Sequence, residues 1–137
     1  MTHPVKGIDH LVILVSDLDA SAKGFATLGF TLSPRGTHSP HMGSANYTII
    51  LQDDYFELLG MIAETPRNAS KRKALAENGE GLAAIADRIG DAHAARAALA
   101  ELGIATSEVM DFSRPLPLPD GSTGTAAFAV TTFEPRE

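Results

Sequence analysis

Cysteine is absent from the 137 residues. Disulfides, thiolate metal sites and cysteine nucleophiles are thereby excluded. No apolar run approaches the roughly 20 residues of a membrane span. The first stretch, MTHPVKGIDH, has no apolar segment of the kind a secretory signal needs. The expected location is the cytoplasm, and no membrane partner is expected. Basic residues are in deficit, 11 against 17 acidic, for a formal net charge of −6. Without a basic stripe to displace counterions, nucleic acid is not an expected partner. The one basic cluster, Arg67 with Lys71, Arg72 and Lys73, is interleaved with Glu64, Glu77 and Glu80, and reads as a solvated helix end. No serine has the Gly-x-Ser-x-Gly setting of a strained nucleophile. GTHSPHMGS lacks the Gly-Lys-Ser/Thr of a phosphate loop.

What is present suits one globular domain with a real core: an apolar fraction of 44 % and a charged fraction of 20 %, both ordinary for a folded domain of this length. The sequence also repeats itself. GIDHLVILVSDLDASAKGFATLGF, from residue 7, and GEGLAAIADRIGDAHAARAALAELGI, from residue 79, share a leading glycine, a strand-like run, a helix start and a Leu-Gly ending. Asp19-Ala20 aligns with Asp91-Ala92, and Leu28-Gly29 with Leu102-Gly103 after a gap of two residues.

The first copy reads as a strand over 7–15, a helix capped by Ser16 or Asp17 and closed by Gly29, and strands over 30–35, 45–52 and 55–62. Asp53-Asp54 makes the last turn. A linker with a helix over 69–78 follows. The second copy reads as a strand over 82–89, a helix over 91–102 and strands over 105–112 and 125–133, with the proline-rich SRPLPLPDGS as a turn. The expected layout is α+β: a βαβββ module over 7–62, a helical linker over 63–78, and a βαββ module over 79–137 that lacks its last strand.

Side chains alternate between the faces of a strand. His10 therefore shares a face with Ile8, Val12 and Leu14, and Glu57 with Tyr55, Leu59 and Met61. A carboxylate and an imidazole, each in mid-strand among apolar residues, are costly unless paired, metal-bound or facing a wet cavity. Asp9 or a main-chain carbonyl could hold His10, and Arg114 or Arg35 could pair with Glu57. His38 and His41 lie in a loop. Asn46 and Tyr55 stand at strand starts, where capping and core packing compete with ligand binding.

The pattern GIDHLVILVSDLDASAKGFATLGF, with YFELLG on the last strand of the module, resembles the vicinal oxygen chelate superfamily, the fold of glyoxalase I. RGTHSPHMGSANYTIILQDDYFELLG is more closely similar to its glyoxalase-like proteins, through His38, Gly43, Ser44, Ala45, Asn46, Tyr55, Phe56, Glu57 and Leu58. Arg114, Pro119, Asp120 and Gly121 match a further stretch of that group. The resemblance implies two modules whose mixed sheets curl around a cleft, with helices outside. It implies a divalent metal ion (Zn, Ni, Fe or Mn) held by His10 and Glu57, open to the vicinal oxygens of a small molecule. His38, His41, Asn46, Tyr55 and Arg114 are the expected cleft residues.

The second module departs from this pattern. Its counterpart of His10 falls near Leu82, and the strand that should carry its carboxylate is missing. Two functions follow. One is a metal-dependent lyase, isomerase or dioxygenase; the other is a metal-free protein that sequesters a small molecule, as antibiotic-resistance members do. TAAFAVTTF, uncharged over its whole length, leaves an unprotected edge. A homodimer, or chain continuing beyond Glu137, is expected to cover it.

Overall fold

The computed structural model describes residues 2–134. The end of the second module, 135–137, lies outside them. Contacts divide the chain into two units, Ile8–Asp87 and the residues up to Gly7 together with those from Arg88 onward.

In the unit Ile8–Asp87, β1 (Gly7–Val15) leads into α1 (Leu18–Thr27). Asp17 caps that helix by accepting from the Ala20 amide at 2.9 Å, so a first-turn donor that the helix leaves free is satisfied. A two-residue β2 (Gly36–Thr37) follows, then β3 (Ser44–Ile50) and β4 (Tyr55–Met61). After a short 3-10 turn at Pro66–Asn68 come α2 (Ala69–Asn78) and β5 (Gly81–Arg88). The strand order is β2-β3-β4-β1-β5. β1 pairs parallel with β4, and β3 pairs antiparallel with both β2 and β4, so the sheet is mixed.

Register separates the two faces of this sheet. One presents Ile13 and Val15 of β1, Leu58 and Gly60 of β4, and Ala45 and Tyr47 of β3. α1 packs here, and the core forms from Val15, Leu18, Ala45 and Leu58, with Ile13, Phe25, Leu32 and Tyr47 against it. Leu58 is wholly buried; a side chain of that kind contributes about 1.5–3 kcal/mol through removal from water. Gly60 is glycine because Leu18 lies 2.8 Å from where a Cβ would stand. The other face carries His10, Val12 and Leu14, Tyr55, Glu57 and Leu59, and Ser44 and Asn46. The helix thus covers one side, and on the other the polar groups stand among apolar side chains, of which Leu14 and Leu59 are buried.

On the helix side Tyr47 donates to Asp19 at 2.9 Å, and Arg35 donates to the same carboxylate at 3.0 Å. Arg35 thus pairs with Asp19 and not with Glu57, the partner offered for it as one alternative. The bond to Asp19 holds the Tyr47 phenol above its ordinary value of 10.0, burial and the Asp19 charge add to it, and Arg35 opposes them. A raised folded value means that the folded form keeps its proton longer than the unfolded chain. Stability from this bond is full below the unfolded value and is lost as pH rises through the folded one. In an ultraviolet titration of the two tyrosines, Tyr47 is expected to ionise later than a free phenol, and Asp19→Ala is expected to remove the delay. An unchanged titration in the variant would contradict this.

In the other unit, Asp91 caps α3 (Ala92–Glu101), its side chain accepting from the Ala94 amide at 2.7 Å. Ala92, Ala95 and Leu99 are the buried side of that helix. β6 (Met110–Pro117) and β7 (Thr123–Val130) form an antiparallel pair. Arg96 of α3 donates to the Ser107 carbonyl at 3.0 Å, and that carbonyl also accepts from Thr131 at 2.7 Å.

Several expectations change. The two N-caps are equivalent, Asp17 and Asp91, as are the positive-φ glycines Gly7 and Gly81, and Gly29 and Gly103. One spacing of 74 residues relates all three pairs (81 minus 7), so the two-residue gap disappears and the counterpart of His10 is Ala84 rather than Leu82. Residues 30–35 form no strand, because Pro34 has no amide to donate; Ser33 alone bonds to β3, at the Thr48 carbonyl. The strand expected over 105–112 is displaced to Met110–Pro117, keeping the last three of those residues and running on into the segment read as a turn. Pro115 and Pro117 are two residues apart, so their missing amides face one edge of β6, which an edge strand tolerates. Among the described residues no curled sheet is found. In the first copy β4 returns beside β1 and joins the β2–β3 pair to it; among the described residues the second copy has no strand after β7, so β5 extends the first sheet and β6–β7 pair only with each other.

Candidate functional site

The site lies on the face of β1, β3 and β4 opposite α1. In the parallel register Val12 stands beside Glu57 and His10 beside Tyr55, so His10 and Glu57 share a face, one pleat repeat apart. Their side chains close that gap: His10 Nε2 lies 3.5 Å from Glu57 Oε2, with side-chain exposures of 18 % and 15 %. The other carboxylate oxygen, Oε1, accepts from Asn46 Nδ2 at 2.9 Å. Asn46 is buried, and its neighbour across the ladder is Leu59. Tyr55 stacks on the imidazole with ring centroids 4.4 Å apart and planes inclined by 14°. His10 Nδ1 lies 2.8 Å from Asp9 Oδ2.

These distances fix the hydrogen. A carboxylate only accepts, so Nδ1 must be the donor to Asp9. In a neutral ring Nε2 then carries a lone pair, and that lone pair faces the Glu57 carboxylate. Two electron-rich atoms at this separation in a largely dehydrated pocket repel, unless positive charge lies on the ring or between them. A gap of 3.5 Å is also one that two ligands of a single ion, bonded at about 2.0–2.2 Å each, can span. His10 and Glu57 therefore fit a divalent ion as two of its ligands, leaving other positions to water and substrate oxygens. Among the described residues no group of three or more such side chains gathers to make a complete cage.

Of the residues singled out in the sequence, the structure brings His10, Glu57, Asn46 and Tyr55 together. His38 reaches the start of β3, its Nδ1 2.7 Å from the hydroxyl of Ser44, two residues before Asn46 on the same face. Its amide also donates to the Ser44 carbonyl at 3.0 Å. His41 is exposed in the loop, near the Ser39 hydroxyl. Arg114 belongs to the other unit, in mid-β6 opposite Ala126. Ser44 was read as part of the glyoxalase-like motif but not as a cleft residue. Its signal was the alternation Ser44, Asn46, Thr48, a polar stripe at the period of a strand.

The model of a glyoxalase-like domain matches residues 8–137. No curated protein matches the chain. Among solved structures, methylmalonyl-CoA epimerase from Mycobacterium tuberculosis is similar in fold, with a TM-score of 0.66 at 20 % identity, over 100 % of this chain and 93 % of that one. A methylmalonyl-CoA epimerase in complex with methylmalonyl-CoA and NH4+ is 28 % identical, with a TM-score of 0.64 over 74 % of this chain and 73 % of its own. A single-residue variant of the Streptomyces coelicolor methylmalonyl-CoA epimerase, in complex with 2-nitronate-propionyl-CoA, is 27 % identical, with a TM-score of 0.64 over 90 % and 88 % of the two chains.

Proposed function

The chain belongs to the glyoxalase-like domain family of the vicinal oxygen chelate superfamily, and from that premise we propose that it is an isomerase of small carbonyl compounds, with acyl thioesters as the first substrate class to test. The observation that carries this reading is the approach of His10 Nε2 to Glu57 Oε2, 3.5 Å apart and both largely buried on the sheet face opposite α1. The acyl-CoA ligands of the similar epimerases support the substrate class.

His10 and Glu57 would hold the divalent ion, and when bound such an ion supplies Lewis-acid polarisation of a substrate oxygen. The remaining work falls to the chain itself. Asn46 holds Glu57 at one oxygen and leaves the other directed at His10. Tyr55 keeps the imidazole from rotating about its Cβ–Cγ bond. Val12 and Leu59 line the pleats beside the pair and exclude water, which strengthens every charge interaction there. His38, oriented by Ser44 farther along the same face, is assigned as the group that takes the proton from the carbon next to the carbonyl; reprotonation of that carbon from the other side completes the isomerisation.

Deuterium uptake tests this without knowledge of the product. The protein, loaded with a divalent ion, is incubated in heavy water with methylmalonyl-CoA and a short series of acyl-CoA thioesters, and the recovered thioesters are weighed by mass spectrometry. Uptake is expected for at least one, with loss in Glu57→Gln and in His38→Gln. Binding of a thioester with no uptake, indifferent to the ion, would overturn the isomerase and support the sequestering alternative.

A second copy of the chain is also part of this reading. Among the described residues β5 is the outermost strand of its sheet, and Leu82 and Ile85, on its opposite faces, are 62 % and 55 % exposed. From Gly81 to Ala86 the strand carries no charge, proline or bulge to protect that edge. Sedimentation is expected to show a dimer that Ile85→Lys shifts toward monomer; a monomeric wild type at micromolar concentration would contradict it.

A further inference from the structure

We infer that Asp9 is a positioning residue of this site: it selects the His10 tautomer whose Nε2 lone pair is directed at Glu57. The inference rests on the cation reading above for its purpose, and on local geometry alone for its substance. Asp9 and His10 are adjacent in β1, where alternation would send their side chains to opposite faces. Instead the Asp9 carboxylate reaches round to Nδ1 at 2.8 Å. Asp9 sits near the start of the strand, where the side chain is 41 % exposed. Reaching the ring from there leaves the carboxylate partly hydrated, so the contact carries little desolvation cost.

The consequence is chemical. A free neutral imidazole interconverts between two tautomers, and only the one with hydrogen on Nδ1 offers Nε2 as a ligand. A carboxylate bonded to the far nitrogen holds that tautomer and fixes the ring plane. Three contacts then define His10 completely: Asp9 at one edge, Tyr55 on the ring face, and Glu57 across the gap at the other edge. The Tyr55 contact is itself set by register, since His10 and Tyr55 are direct partners in the β1–β4 ladder. Asp9 contributes nothing to the ion as a ligand; it acts through His10.

The test reads the tautomer directly. Nitrogen-15-labelled protein gives long-range proton–nitrogen correlations for each of the five histidine rings, and His10→Gln identifies the His10 signals. At a pH where the rings are neutral, wild-type His10 is expected to carry its hydrogen on Nδ1. Asp9→Ala is expected to move it to Nε2, while Asp9→Asn, whose amide oxygen still accepts, retains it on Nδ1. In a Co2+ titration of the same proteins, Asp9→Ala is expected to weaken binding by about 10–100-fold, the range for loss of an outer partner of a metal-ligating histidine, and Asp9→Asn by less. Hydrogen on Nε2 in the wild type overturns the inference, and that reading needs no variant to fold. An Asp9→Ala protein with unchanged tautomer, or with unchanged Co2+ affinity, also overturns it. If the tautomer switches as expected but the wild type binds no Co2+, the tautomer assignment to Asp9 stands and the cation reading fails.

Discussion

Gly43→Ala is expected to cost about 2–5 kcal/mol of folding stability and to loosen the site with it. Two separate penalties meet at this residue. Its φ is +61°, in the left-handed region, where a side chain costs roughly 1–2 kcal/mol. An added Cβ would also stand 2.5 Å from the Ala63 carbonyl oxygen, 2.7 Å from Thr65 Cγ2 and 2.8 Å from Asn68 Nδ2. Overpacking of this kind costs about 1–3 kcal/mol more. The surroundings cannot easily yield, because they are a hydrogen-bonded knot. Asn68, buried, donates through Nδ2 to the Met42, Gly43 and Ala63 carbonyls at 3.0, 3.2 and 2.8 Å. The next residue is Ser44, which starts β3 and holds His38; Asn46, which holds Glu57, is two farther on. Urea unfolding measures the loss. A change below about 1 kcal/mol would show that the turn relaxes freely, contrary to this packing.

Glu57→Gln is expected to lower divalent-ion affinity by more than about 100-fold, beyond the usual cost of losing an outer partner. The amide keeps the size of the carboxylate and can still accept from Asn46, so the strand should remain in place. What it loses is the charge facing His10. His10→Ala is expected to do the same from the other side. Asn46→Ala should be milder, about 10–100-fold, because Asn46 only orients the carboxylate. Calorimetric titration with Co2+ orders the three. Equal, small effects from all of them would mean that the ion, if bound, sits elsewhere.

His10 and Glu57 were legible because a strand's period is simple: an ionisable group in mid-strand among apolar residues stands out, and parity assigns its face. Asp9 was also readable as a partner of His10, whereas the partner of Glu57 was not. Asn46 reaches Glu57 across the β3–β4 ladder, and the register that permits it depends on the turn at Asp53 and Asp54. Arg35 was read as one possible partner of Glu57, and α1, packed on the opposite face, brings Asp19 to it instead. The failures have local causes as well. Prolines were read as ending a strand at Ser113–Pro117, where their spacing of two confines the missing donors to one edge. The repeat was aligned on Asp19-Ala20, a plausible helix start, whereas the caps are Asp17 and Asp91. The shift moves the counterpart of His10 from Leu82 to Ala84, and neither residue has a ligating atom. The second copy keeps the helix caps and glycines of the first and lacks its chemistry.

The most direct test of the central claim, that His10 and Glu57 hold one ion together, is metal content. Untagged protein purified without chelator and incubated with excess divalent ions would be analysed by elemental mass spectrometry, beside His10→Ala and Glu57→Gln. Near one ion per chain in the wild type, with loss in both variants, is the predicted result. No ion in the wild type, or an ion that both variants retain, would contradict it.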